Sequence, residues 1–455
     1  MNQRTAKLIF TILMLASIIA SISQTSLTTA LPMIMTDLKV DSATGQWLTS
    51  GYTLVMGIMI PATAYFMERF STRQLFISAL SLFTLGSLVA WLGPNFIILL
   101  IGRVLQAMGT GIFLPLTQIA IMTIFPVERQ GAMMGIYGLA ATAAPVLAPT
   151  LTTGLLIDQY GWRSIFGIIS ILSLLTLLVG IKFLRNFVEG QANRFDSLSF
   201  ILSGLGFSGL LIGLGNFGTV NLIWVIGPIL VGIISLIWFT IRQLKATDPF
   251  LNLRVFQNQR FTLAVLISML LYAAMMAGST IYPIYIQSVL HQSAAISGLV
   301  MLPGSLLMAL LNPVTGRIYD RYGIKWLLVF GSLAVLVSAI GSAYFKTATS
   351  LLIVGGCFAL RLIGVACIMM PVVAWAMQGT SVAEKANQTA ALTSLRTISG
   401  SFGVAVFTAM LTYVTDLTSP HLIASIHGID LTFMGMAVIA TVQLLIAIFG
   451  LHLAK

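Results

Sequence analysis

Apolar stretches of about 20 residues recur along the whole chain, separated by short polar segments. Each is long enough to cross a hydrocarbon core about 30 Å thick. It must do so as a helix, because lipid offers no partner to a free backbone N–H or C=O. The pattern predicts fourteen helices, near 8–35, 45–66, 74–94, 96–124, 131–156, 162–184, 197–215, 221–241, 260–289, 295–315, 326–345, 349–377, 388–415 and 430–452. Their connections are mostly short and leave little room for a soluble domain. The first run, preceded by Arg4 and Lys7, continues past Ala20 to Ala30-Leu31-Pro32 without a convincing cleavage pattern, and reads as an uncleaved span.

Composition agrees with the pattern. The chain is 58% hydrophobic and 8% charged, against roughly 25% charged in a soluble domain. Its net charge of +11 does not point to nucleic acid, because no basic face or long basic run exists. The bases sit singly or in small groups between apolar runs, as topology signals do. Alternating the predicted spans puts most of the 23 Lys and Arg on the N-terminal side, Lys385 and Arg396 among them. Lys39, Arg163 and Lys346 fall on the other side, and only Arg103 and Arg361 fall within spans. The bias places both termini of this multi-pass protein in the cytoplasm. Cys357 and Cys367 share one predicted helix at about 15 Å separation, too far apart to be bridged.

A charged loop occurs twice. Glu68-Arg69-Phe70-Ser71-Thr72-Arg73 and Asp320-Arg321-Tyr322-Gly323-Ile324-Lys325 both read acid, Arg, aromatic, small residue, spacer, base, 252 positions apart. Arg103 and Arg361 repeat at an offset of 258. Duplicated halves around a central site are how many secondary transporters are built. The expected organisation is a six-helix bundle over 1–190, an inserted two-helix segment over 191–250, and a second six-helix bundle over 251–455. Six glycines between Gly204 and Gly218 mark predicted helix 7 for close packing.

With these residues the sequence resembles the major facilitator superfamily, and within it the fourteen-helix drug:proton antiporter branch of multidrug and lincomycin-type exporters. The family's loop signature, Gly-x-Leu-Ala-Asp-Arg-x-Gly-Arg-Lys, is matched loosely at Ala64 to Arg73, with Ala64 and Ser71 in place of glycines and Glu68 in place of aspartate. The copy from Gly316 to Gly323 is closer to pattern. Arg103, Gln106, Gly109 and Gly111 keep the helix 4 signature. Helix 5 retains Gly138, Pro145, Pro149 and Gly154 of the antiporter signature, with Ala144 and Ala148 before the prolines. Ser23 to Pro32 aligns with the branch's Asp-x-Thr-x-x-Asn-x-Ala-Leu-Pro, Ser23 standing where many members have an intramembrane aspartate. The resemblance implies an all-α membrane protein with the major facilitator fold, fourteen transmembrane helices arranged as two six-helix pseudo-repeats plus an inserted pair. It implies a monomer without cofactor in a bacterial inner (plasma) membrane, and a cavity lined by helices 4 and 12.

Glu68, Arg69, Arg73, Asp320, Arg321 and Lys325 are candidates for gating, through charge-assisted bonds to neighbouring helix ends. The alternative is that cytoplasmic loops simply collect bases, but topology alone would not repeat the acids. Pro145 and Pro149 each remove a donor and weaken helix 5; a generic kink is the plainer reading. Arg103 and Arg361 are candidates for substrate contact, since an intramembrane charge is costly; bracing the bundle is the alternative. Gln24, Tyr52, Gln106, Gln118, Tyr272 and Tyr282, with Tyr285, complete the candidate binding site as polar or aromatic groups on cavity helices.

All twelve acids fall in predicted loops or at helix ends. Proton coupling needs a carboxyl whose protonation changes with access. Asp37 is the acid best placed for it, though an exposed loop acid is the plainer reading. Two buried arginines without a buried acid point to neutral or anionic amphipathic substrates. No Gly-x-x-x-x-Gly-Lys-Ser/Thr loop occurs, which argues against direct ATP drive. A membrane-embedded lipid enzyme would need clustered His or acids, and these are scattered. The sequence therefore reads as a secondary efflux transporter for hydrophobic or amphipathic drugs, working by alternating access with protons as the exchanged ion and lipid as its only solvent. The rival is an exporter of an endogenous metabolite or lipid-like compound with a different coupling ion or none.

Overall fold

A computed structural model describes residues 3–40, 42–152, 160–187, 196–215, 221–246, 249–417 and 421–449. Among these the chain is helical throughout its regular structure, with fourteen α-helices at the predicted positions. They are α1 Gln3–Leu38, α2 Ser42–Arg69, α3 Thr72–Leu92, α4 Phe96–Ile124, α5 Val127–Thr152, α6 Arg163–Phe183 and α7 Ser197–Gly215. Then come α8 Leu222–Lys245, α9 Gln259–Ile284, α10 Ala294–Tyr322, α11 Lys325–Ser342, α12 Leu351–Ala376, α13 Val382–Leu417 and α14 His421–Phe449. Thirteen contain an apolar stretch long enough to cross a membrane, α5 being the exception among the described residues.

Small polar residues between the apolar runs start the helices. Ser71 closes a capping box with Gln74 at α3, and Asn95 caps α4 through the Ile98 N–H. Ser293 and Ser350 do the same for α10 and α12. Gly323 ends α10 at φ 75°, a left-handed conformation that favours glycine. Beyond Pro283, near the end of α9, the chain winds as a π-helix over Tyr285–Val289.

Contacts sort the helices. Apart from α5 and α10, which pack most extensively on each other, α1 to α6 pack mainly among themselves, as do α9 to α14. α7 and α8 pack on each other, and α7 also lies against α2 and α13. The outer face of α8 exposes Ile223, Trp224, Ile234 and Trp238, apolar groups suited to lipid. The two large sets meet where α5 runs along α10 and α2 along α13. The α5–α10 seam is a backbone contact. A side chain at Gly135 would strike the Asn312 carbonyl, and one at Gly316 would strike the Gly131 carbonyl. Small residues let membrane helices approach this closely.

Two helix starts differ from expectation in ways that matter. α13 begins at Val382, so Arg396 lies 14 residues, about 21 Å, inside it. α14 begins at His421, so Asp430 lies nine residues into that helix. Arg396 is thus an intramembrane base, contrary to its assignment to the N-terminal side, and Arg103 and Arg361 are not the only ones. Likewise, Asp430 is not at a helix end. The segment before Asp430 carries polar residues ahead of the apolar run, and hydropathy alone places that helix start too late. Arg396 already falls inside the predicted span 388–415, and its assignment to a side is in error.

Candidate functional site

Three buried guanidinium groups organise the interior, and none forms an ion pair among the described residues. Arg103 on α4 is fully enclosed. Its Nε donates to the Leu48 carbonyl at 3.2 Å, and its Nη1 donates to Gln106 Oε1 at 2.8 Å and to Ser23 Oγ at 3.4 Å. The guanidinium stacks 4.0 Å over the Tyr52 ring. Tyr52 shares a 2.7 Å hydrogen bond with Thr110, and Gln106 Nε2 donates to Ser87 Oγ at 2.7 Å. This knot ties α1, α2, α3 and α4 together and leaves Arg103 Nη2 without a partner. Three of the predicted site residues, Tyr52, Arg103 and Gln106, meet here, in the brace-like arrangement.

Arg361 on α12 donates through Nη2 to the Ala274 carbonyl. Its guanidinium carbon lies 5.8 Å from the centroid of Tyr282, and Nη1 is unpartnered. Tyr282 shares a 2.6 Å bond with Ser342 and packs edge-on against Phe345, Phe358 and Phe433. Tyr285 donates to the Lys346 carbonyl at 2.7 Å. Arg361 and Tyr282 thus meet within the second helix set.

The third group, Arg396, lies between the sets. Its Cζ is 5.0 Å from the Tyr272 ring on α9. The helix that carries it, α13, packs against α4, where Gln118 Nε2 donates to the Tyr137 hydroxyl of α5 at 3.5 Å. Of the predicted site residues, Tyr272 thus lies beside a base that was assigned elsewhere, and Gln118 lies on α4, against which that base's helix packs. Gln24 is half-buried on α1.

The end at which α1 begins carries most of the bases, and here the two sets are joined. Asp320, at the end of α10, accepts from the Gly131 and Ala132 N–H groups of α5, both at 2.7 Å. Lys385 of α13 donates to the Met122 carbonyl of α4 at 2.7 Å, a crossing bond the loop signature does not contain. Deeper in the seam, Asn312 Nδ2 donates to Thr142 Oγ1 at 3.2 Å. The other loop charges stay local. Arg73 donates to Asn186 and to the Ile181 carbonyl at the end of α6. Arg69 donates to Tyr65 at 3.1 Å, and Arg321 lies 5.2 Å from the Tyr322 ring. Lys325 is the first residue of α11. The side chains of Glu68, Pro145 and Pro149 lie outside the described residues.

Asp37 is exposed and pairs with Arg163 Nη1 at 2.8 Å. That bond, then one from Trp162, holds its carboxyl below the usual carboxylate value. Asp196 pairs with Arg242 at 3.1 Å. Partial burial works to raise its pKa, but bonds from Arg242 and Ser199 outweigh this and lower it. Asp430 differs from both: it is half-buried, and its Oδ1 has no hydrogen-bond partner among the described residues. Among the described residues no group of three His, Cys, Asp or Glu could hold a metal.

Two helix sets joined along a small-residue seam, each enclosing buried cations and with no catalytic constellation among the described residues, define a membrane transporter. The chain belongs to the Major Facilitator Superfamily, which matches residues 13–404. It is 36% identical to an MFS-type transporter of Bacillus subtilis (strain 168), YcnB, over 96% of this chain and 93% of that protein. It is 35% identical to the lincomycin resistance protein LmrB of the same organism, over 96% of this chain and 94% of LmrB. In fold it matches the human organic anion transporter MFSD10 with a TM-score of 0.70 at 13% identity, covering 96% of this chain and 99% of that one.

Proposed function

We propose that this protein exports hydrophobic or amphipathic compounds, drugs among them, across a bacterial plasma membrane by alternating access coupled to proton antiport. The observation that carries alternating access is the bonded seam at the basic end, where Asp320 and Lys385 link one helix set to the other. Rocking one set against the other around a fixed site requires contacts that close one end and can be broken. By the positive-inside bias this end and both termini are cytoplasmic, so the bonds hold the cytoplasmic gate shut. Export of drugs is supported by the 35% identity to LmrB across nearly its full length.

The enclosed Tyr52–Arg103–Gln106 group braces the first helix set and the Tyr282–Arg361 pair the second. Among the described acids, Asp430 best meets the requirement of coupling, an enclosed carboxyl with an unpartnered oxygen. Asp37, the expectation from sequence, sits in an exposed ion pair that keeps it charged. The test is uptake of lincomycin and lipophilic dyes into energised inverted vesicles containing the pure protein, with and without a proton-gradient collapser. Uptake abolished by the collapser supports antiport. Uptake that survives it means another coupling ion or none, and no uptake of any compound removes drug export.

A further inference from the structure

Arg396 is nine-tenths buried, 9% exposed, and its Nε has no hydrogen-bond partner. It sits close to midway along the apolar stretch Glu384–Leu411 of α13. An unpaired cation at that depth is costly and is a functional site by default. Unpartnered polar atoms also occur on α13 itself and on α4, against which α13 packs. Gln118 Oε1 is buried without a partner, and so is Thr393 Oγ1, one turn before Arg396 on α13. Buried polar groups are nearly always bonded, so three idle ones at a single junction call for a ligand that supplies the bonds.

The junction is also where a carried molecule must sit. Gln118 and Tyr137 belong to the first helix set, Tyr272 and Arg396 to the second. The other two buried arginines lack this character: each is held by a backbone carbonyl of its own helix set, Leu48 for Arg103 and Ala274 for Arg361.

We infer that Arg396 is the anchor for a carboxylate on the transported molecule, whose aromatic or apolar body lies against Tyr272 and Tyr137. This rests on the export reading and names its substrate class: amphipathic organic anions. The planar guanidinium offers parallel N–H donors that match a carboxylate, and the Tyr272 ring, 5.0 Å from its Cζ, borders it. When the anion docks, the charge that neither helix set neutralises is paired.

The test uses the full chain reconstituted in lipid nanodiscs and vesicles, with 1-pyrenebutyrate and its methyl ester as probes. Wild type is expected to bind the carboxylate at least about tenfold more tightly than the ester, as a charge-assisted pair in an enclosed site requires. Arg396→Gln is expected to erase that preference by weakening the carboxylate while leaving ester affinity unchanged. Arg396→Lys, which keeps the charge but not the fork, is expected to fall between. Thermal stability without ligand separates anchor from brace: Arg396→Gln is expected to melt no lower than wild type, because it removes an unpaired buried charge. Equal affinity of wild type for both probes, an unchanged preference in Arg396→Gln, or a much lower melting temperature would each overturn the anchor. If wild-type vesicles move drugs but show no carboxylate preference, the inference alone fails. If they move nothing, the export reading fails and takes the inference with it.

Discussion

Replacing Asp320 by Asn isolates the bond that joins the helix sets at the basic end. The carboxylate accepts two backbone N–H groups of α5, each at 2.7 Å. Asn keeps one carbonyl oxygen but turns an NH2 group toward the second N–H, so one charge-assisted bond is lost and the other becomes neutral. A hydrogen bond to a charged group contributes about 1.5–3 kcal/mol. This bond exists only with the basic end closed, so its loss acts on the open–closed equilibrium, raising the open fraction relative to the closed by about 10- to 150-fold. Spin labels on Arg129→Cys and Trp326→Cys, at exposed starts of α5 and α11, report that end by distance measurement in nanodiscs. The background would carry Cys357→Ser and Cys367→Ala. Asp320→Asn should add a longer-distance population that wild type lacks. An unchanged distance distribution would sink the idea that Asp320 latches the gate, because a bond of that strength cannot be removed from one state alone without moving the balance.

Gly316→Ala places a methyl group against the Gly131 carbonyl; overpacking of this kind costs about 1–3 kcal/mol, visible as a lower melting temperature, and an unaltered one would show that the seam is loose. Ser23→Asp supplies Arg103 with a carboxylate where it now meets a hydroxyl. It is expected to stabilise the protein at pH 7 by about 1.5–3 kcal/mol, an effect lost once that carboxyl is protonated; no gain would mean that Arg103 is already satisfied. Asp37 has a folded pKa below its unfolded 3.8, so its contribution is complete above that value and lost only as pH falls through the lower folded one. Between pH 5.5 and 8, roughly, Asp37→Asn should therefore leave the pH profile of transport unchanged, whereas Asp430→Asn should flatten it; the opposite pattern would return proton coupling to Asp37.

How much could be read beforehand follows from what each signal measures. Fourteen helices were legible because every span must bury its backbone bonds in lipid, and that requirement writes a long apolar run. The repeated acid-Arg-aromatic loop drew attention to Asp320, which bonds the α5 N–H groups. It did not distinguish Asp320, which reaches α5, from Arg73, which ties α3 to α6 within one set. Spacing along a chain records local geometry, whereas which helix lies opposite is decided by packing. Lys385 and Arg396 escaped for a related reason. Hydropathy reads the polar start of α13, with Lys385, as loop, and only the contacts to α4 and α9 show that Lys385 and Arg396 point inward. The grouping of Gln118 with Tyr272 was illegible for the same cause, since residues on α4 and α9 meet only after the two sets dock.

The sign of the charge at the centre has an energetic consequence. A cation leaving in exchange for one entering proton moves no net charge, so the membrane potential cannot help it. A monoanion held at Arg396 and exchanged for one proton moves two negative charges outward per cycle. Each charge moved is worth about 2.3 kcal/mol per 100 mV, or about 4.6 kcal/mol for the two, before any pH gradient is counted. At about 1.4 kcal/mol per factor of ten, that sustains a gradient of about three orders of magnitude in a cell negative inside. A guanidinium where a cation exporter would profit from a carboxylate therefore changes more than selectivity. If the proposed exchange of a monoanion for a proton holds, the potential acts on both ions, and collapsing it should lower export even at a fixed pH gradient.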